Sequence, residues 1–352
     1  MEYNHIERRK PYYPIGDGLR EHLRKYSRLD NIDISYEDLT NFSELIPITD
    51  KNDEPTLWYS AIYPQSELDY LLQELPKVYE RLMSEGISIP HLRCESIDYC
   101  SFGNSKPFRI KIVNEINDNH DYMYIKEADA SRIYGLELEE IFSPNKVSFF
   151  VSGNTLVEEH IVGIPFDDFF LRNRNKRIEN RLRLAKEFVK FNERCFARLL
   201  GDMRAYNFVV QITQDFDNVQ YRLRAIDFDQ QSYEGRKNIY LPQYYKDNLP
   251  LVELGQELLS YETAHQYRLE ERAAMNKRYQ SHRNRTRSIL LCMSHCPIST
   301  TERISSLGED LARFHEDELF LKFDSMGQIL KLHLEILLDI EIPSEPESHH
   351  LT

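Results

Sequence analysis

The stretch Leu199-Leu200-Gly201-Asp202-Met203-Arg204-Ala205-Tyr206-Asn207-Phe208-Val209-Val210, followed by Arg224-Ala225-Ile226-Asp227-Phe228-Asp229, decides how this chain is read. Upstream of it, residues 181–200 place Leu184, Phe188, Phe191, Cys195, Phe196, Leu199 and Leu200 at helical spacing, which predicts a buried helix ended by Gly201. Residues 208–213 and 221–226 are rich in β-formers and flank the polar segment 214–218, so they are expected to pair as a hairpin. The loop 202–207 therefore lies between a rigid helix and a strand, and the hairpin returns Asp227 towards it. Taken alone, Asp-x-x-x-x-Asn is also the pattern of a solvent-exposed Asx turn. The order of the flanking elements is what separates the two readings.

Outward from this segment the pattern changes. Residues 87–126 are short β-rich runs divided at Gly103-Asn104 and Asn117-Asp118-Asn119, and they predict three antiparallel strands, the third ending on Lys126. An acidic helix is expected over 128–142, with Asp129 near its start and Pro144 beyond its end. Two more strands, 146–151 and 155–161, flank the turn Ser152-Gly153-Asn154. Residues 67–85 read as a helix that Pro76 kinks or splits and Gly86 stops, whereas 1–65 read as polar and irregular. Helices are expected from 249 to 340 and a disordered tail over 343–352. Five strands with one helix after the third, then helices, make an α+β protein.

In this order the segments resemble the protein-kinase-like superfamily, most closely its aminoglycoside phosphotransferase and choline kinase branch. There Asp-x-x-x-x-Asn forms a catalytic loop, and a later strand ends in an Asp of the Asp-Phe-Gly type, here Ile226-Asp227-Phe228-Asp229. The resemblance implies a bilobal fold: an N-terminal extension over 1–86, a five-stranded antiparallel small lobe over 87–161 and a mainly helical large lobe over 162–342. It implies ATP and Mg²⁺ as cofactors, Asp202 as the base towards an acceptor hydroxyl, and Asn207 and Asp227 as metal ligands. This suits Mg²⁺, which takes carboxylate, amide carbonyl and water oxygens. Lys126, in Tyr124-Ile125-Lys126-Glu127-Ala128, would hold the α and β phosphates, kept extended by a carboxylate of the acidic helix. Glu140 is the first choice for that carboxylate, ahead of Glu137 and Glu139, and a plain solvated acidic face is the competing reading. Adenine would meet the carbonyl of Glu159 and the amide of Ile161. Arg204 would offset charge on the transferring phosphoryl group, or else tie the loop down by pairing with a neighbouring carboxylate. Lys126, Asp202, Asn207 and Asp227 are expected in one cleft.

The pattern also departs from that family. Residues 99–106 offer a single glycine where a glycine-rich loop is usual, so Ser101 and Gly103 would carry the phosphate contacts, or the segment is a plain turn. Leu200 stands where a His is usual, and packing is expected to replace its hydrogen bond. Counting 44 basic against 58 acidic side chains gives a net charge of −14, which disfavours nucleic acid and membrane surfaces as partners. The expected partners are a nucleotide and a hydroxyl-bearing acceptor, a small molecule rather than a protein because no Ala-Pro-Glu motif follows Asp227. Five irregularly spaced cysteines and a polar N-terminus suggest a cytoplasmic protein, and Cys292-Met293-Ser294-His295-Cys296 fits a helix better than a zinc site. The rival functions are a pseudokinase that binds nucleotide or a partner without transfer, and a nucleotidyl transferase on the same scaffold.

Overall fold

A computed structural model of the chain describes residues 10–84, 87–102, 105–173, 178–215 and 218–343. The expected helix stop at Gly86, the Gly103-Asn104 turn and the tail beyond Pro343 lie outside the described residues. The chain is α+β and divides into two units, Met1–Ala130 with Val147–His160, and Ser131–Lys146 with Ile161–Thr352.

The first unit is built on strands β1 (Glu44–Thr49), β2 (Pro55–Ile62), β3 (Leu92–Cys100), β4 (Phe108–Asn114), β5 (His120–Glu127), β6 (Phe149–Ser152) and β7 (Thr155–Glu159). They form one antiparallel sheet in the order β1-β2-β3-β4-β5-β7-β6. All five strands expected over 87–161 are there, but the sheet has seven, because a hairpin from the region read as irregular joins its edge. That hairpin left little trace in the sequence: β1 is a mostly exposed edge strand interrupted by Pro47, so neither alternation nor an apolar run marks it. The same region also holds helices α1 (Asp17–Lys25) and α2 (Tyr36–Leu39). Helix α3 (Gln65–Ser84) runs unbroken through Pro76. Its Leu71, Leu75, Val78 and Leu82 join Ile97, Phe108, Ile110, Met123, Ile125 and Val157 in one core, and that packing outweighs the hydrogen bond a proline removes. Because side chains alternate along a strand, Met123 and Ile125 of β5 enter this core while Tyr124 and Lys126 emerge on the opposite face.

The second unit contains helix α4 (Ala130–Phe142), strand β8 (Ile164–Pro165), helices α5 (Phe166–Asn173) and α6 (Arg181–Arg198), and strands β9 (Phe208–Asp215) and β10 (Asn218–Ala225). Helices α7 (Leu249–Leu258), α8 (Tyr261–Ser281), α9 (Arg283–His295), α10 (Thr301–His315) and α11 (Met326–Leu338) follow. β9 and β10 form the expected hairpin, and β8 adds to β9 to give a second, three-stranded sheet. The stripe on α6 is buried as read: Phe191 and Phe166 pack on Phe208 of β9 with ring centres 4.9 and 5.5 Å away. Cys292 lies in α9, and among the described residues no helix is long and apolar enough to cross a membrane.

Candidate functional site

The chain leaves α6 earlier than the expected stop at Gly201, through left-handed backbone at Leu199 (φ 51°), and Asp202 is left-handed as well (φ 56°). Non-glycine residues hold this conformation at a cost of roughly 1–2 kcal/mol each, so surrounding bonds must fix it. They do. The Asp202 amide donates to the Tyr245 hydroxyl at 3.0 Å, and the Asp202 carbonyl accepts from the Arg204 amide at 2.8 Å and from Asn207 Nδ2 at 2.7 Å. The Ile226 amide then donates to the Asn207 carbonyl at 3.0 Å, tying the loop to the strand that leads into Asp227. Leu200 is fully buried and its backbone bridges to Gln231.

This geometry orients three side chains. Asn207 spends its amide nitrogen on Asp202, and its Oδ1 accepts no hydrogen bond among the described residues. Asp202 Oδ1 accepts from Arg204 Nε at 3.0 Å, while the guanidinium lies 5.2 Å from the Tyr245 ring centre and reaches Asp247 at 3.5 Å. Arg204 thus makes the loop-tying contacts that were one of its two expected roles. Burial pushes the Asp202 carboxyl up to about 6, the nearby charge of Asp227 adds to this, and Arg204 opposes it. A carboxylate titrating there is matched to accepting a proton near neutral pH.

Asp227 is held differently. Its Oδ1 accepts from Arg132 Nη1 at 3.0 Å and from the Asp229 amide at 3.0 Å, and the same Nη1 donates to Asp229 Oδ1 at 2.8 Å. Arg132 comes from the first turn of α4 and is 2% exposed. α4 lies close against this segment: a Cβ at Gly135 would stand 2.9 Å from Phe228 Cβ, and Ser131 Oγ donates to the Gln231 carbonyl at 2.8 Å. The next residues return to the loop, with the Gly201 amide donating to the Gln230 carbonyl at 3.2 Å and the Ser232 amide to Leu199 at 2.8 Å. Asp202 and Asp227 are therefore placed by one continuous backbone network inside the second unit. Asn207 Oδ1 and the Asp227 carboxylate are donor types that Mg²⁺ accepts, with water and phosphate oxygens as further ligands. Two such residues fall short of a closed protein cage, and no group of three His, Cys, Asp or Glu able to hold a metal occurs among the described residues.

In the first unit, Lys126 Nζ lies 3.0 Å from Glu158 Oε2, both side chains being buried, and 5.5 Å from the Tyr124 ring centre. Glu158, on the neighbouring strand β7, was not among the carboxylates weighed for Lys126. Two of those that were have arginine partners in the second unit: Glu137 accepts two bonds from Arg285, at 2.8 and 2.7 Å, and Glu139 pairs with Arg198. Both carboxylates, on different faces of α4, are thus buried and ion-paired rather than solvated. Glu140, the first choice, is half-buried on the same helix. Ser101 is exposed beyond the end of β3, and Gly103 lies outside the described residues. Glu159 closes β7 opposite Met123. Ile161 is 8% exposed, and its amide makes no hydrogen bond among the described residues.

Sequence reasoning missed Arg132, Glu158, Tyr245 and Asn248. Arg132 had a signal, since it is the one cation of α4 and stands in the first turn, where the helix dipole disfavours positive charge unless an acid lies close by. Tyr245 and Asn248 had none: they sit in irregular turns, and Asn248 Nδ2 reaches the Met203 and Pro242 carbonyls, 2.8 Å each, only through tertiary folding. No protein-family model matches this chain, and no curated protein matches it.

Proposed function

We propose that the chain is an ATP- and Mg²⁺-dependent phosphotransferase with a bilobal protein-kinase-like fold, acting on the hydroxyl of a small molecule. In this reading β3 to β7 are the five-stranded core of the small lobe, and the β1-β2 hairpin is an addition to it. The observation that carries the proposal is the backbone network that ties the Asp202–Asn207 loop, through Ile226, Gln230 and Ser232, to the segment bearing Asp227, close enough for the charge of Asp227 to act on the Asp202 carboxyl. Asp202 takes the proton of the attacking hydroxyl, and its left-handed backbone, pinned by Tyr245 and Asn207, fixes where that carboxylate points. Arg204 steadies Asp202 and keeps enough of it ionised at neutral pH. Asn207 and Asp227 would hold Mg²⁺, which when bound screens the phosphate charges. Lys126, with Glu158 holding its ammonium, is assigned to the nucleotide phosphates, and the Glu159 carbonyl and Ile161 amide to adenine.

A second reading rests on Arg132. Its guanidinium already sits on one oxygen of Asp227, so the position next to a metal ligand holds a fixed cation. In that reading the protein binds nucleotide without turning it over. Calorimetric titration of ATP with and without Mg²⁺ separates the two. Phosphotransferase chemistry requires Mg²⁺-dependent affinity that Asp227→Ala loses and Asp202→Ala keeps, because of these two carboxylates only Asp227 would hold the metal. Mg²⁺-independent affinity in the parent chain would favour the second reading, and equal loss in both variants would contradict the division of roles.

A further inference from the structure

The second unit has a concavity, about 740 Å³ in volume, between α6, α7, α8 and the turns at 237–244. That volume is in the range of small-molecule sites. It is lined by apolar and aromatic side chains, Phe188, Phe196 and Leu251 among them, by polar ones, and by Lys237, Arg268 and Arg272 against one carboxylate, Glu193. Arg272 Nε is committed to Glu193, but Lys237 and Arg268 form no salt bridge among the described residues. Lys237 Nζ lies 4.4 Å from the Phe314 ring centre, and the Arg268 guanidinium 5.8 Å from that of Tyr261. Glu193 is the one carboxylate lining the hollow against three cations, and although it also feels the charge of Arg268, the lining keeps a surplus of positive charge in a chain whose net charge is −14, which favours an anion from outside.

Gly255 gives a second, independent indication. It lies inside α7 and lines the hollow, where glycine is the poorest helix former after proline. A Cβ there would meet nothing within 4 Å, in contrast to Gly135, Gly163 or Gly327, whose neighbours leave no room for one. Packing within the chain therefore does not require glycine at 255. What its absent side chain provides is space in the hollow.

We infer that this hollow binds a small amphipathic anion: an apolar or aromatic body between α6 and α7, and a carboxylate, sulfonate or phosphate group on Arg268 and Lys237. The site is separate from the residues assigned to phosphoryl transfer, and the inference stands or falls independently of that assignment.

The test uses the full chain and two fluorescent probes, anilinonaphthalene sulfonate and its uncharged relative N-phenylnaphthylamine. The parent should bind one sulfonate per chain, more tightly than the neutral amine. Gly255→Phe should weaken both probes by at least about 10-fold with the melting temperature retained, since a filled cavity excludes the apolar body. Arg268→Gln combined with Lys237→Gln should weaken the sulfonate by roughly 10- to 100-fold and leave the amine unchanged, as expected for losing charge-assisted bonds. Should Gly255→Phe not fold, the paired cation variant decides alone. Equal affinity for the two probes in the parent, undiminished sulfonate binding in Gly255→Phe, or parallel loss of both probes in the cation variant would overturn the inference.

Discussion

The loop at 202–207 and the segment at 226–232 each present a carboxylate to an arginine, and the difference lies in the arginine, exposed in one and buried in the other. Arg204 is 43% exposed and its partner Asp202 34%, and the pair shares a rim with Asp247 and Tyr245. Arg132 is buried at 2%, and it pairs at once with Asp229, which is 8% exposed, and with Asp227, whose 33% exposure matches that of Asp202. Exposed pairs are worth up to about 1 kcal/mol because water screens them, whereas removing one partner of a buried pair strands a charge at a cost of roughly 3–5 kcal/mol. One arginine is thus placed to tune a titrating group, and the other to hold a segment in position.

The largest expected effect is at the buried pair. Arg132→Met should destabilise the fold by about 3–5 kcal/mol in denaturant titration, whereas Arg204→Met should change it by less than about 1 kcal/mol. Equal losses would break the distinction between the two regions.

The next effect is on the pH dependence of turnover. Arg204 holds the Asp202 carboxyl down against burial and Asp227, so Arg204→Met should move the acid limb of kcat/KM upward from about 6, by on the order of 1 unit. An unmoved limb would leave Arg204 a purely structural role.

A smaller effect is on stability against pH. The Asp202 carboxyl lies at about 6 in the folded chain against an ordinary 3.8, so the folded state binds the extra proton between these values. Stability from this group is present at low pH and is lost as pH rises through that window. Asp202→Asn should therefore stabilise the protein at neutral pH by about 1 kcal/mol, a value discounted for the group's exposure, and by nothing below about pH 4. Melting curves across the window check both ends. A change of similar size is expected from Tyr245→Phe, which removes the hydroxyl that accepts from the Asp202 amide and should cost about 0.5–1.5 kcal/mol.

How legible the sequence was follows the same physics. The α6 stripe and strands such as β4 and β10 were readable because burial on one side imposes a period, and β6 and β7, buried throughout, because short β-rich runs flank a Ser-Gly-Asn turn. The exposed edge strand β1 carries no such period, and without it β2 had no visible hairpin partner. The Asp202-Asn207 spacing was legible as a motif, and its closure through Ile226 and Tyr245 was not, because those bonds join residues far apart in the chain. Acidic residues on α4 looked like a surface. Their arginine partners, Arg198 and Arg285, lie on other helices, and residue spacing within α4 says nothing of them.

The central claim is that Asp202 serves phosphoryl transfer, and phosphorus NMR tests it most directly. The parent protein, ATP and Mg²⁺ are incubated with a panel of hydroxylated metabolites, and Asp202→Asn is run in parallel. The account predicts ADP and a new phosphomonoester resonance with the parent, absent with Asp202→Asn although that variant remains folded and binds ATP. Pyrophosphate release in place of ADP, or the same phosphoester formed at the same rate by Asp202→Asn, would contradict it.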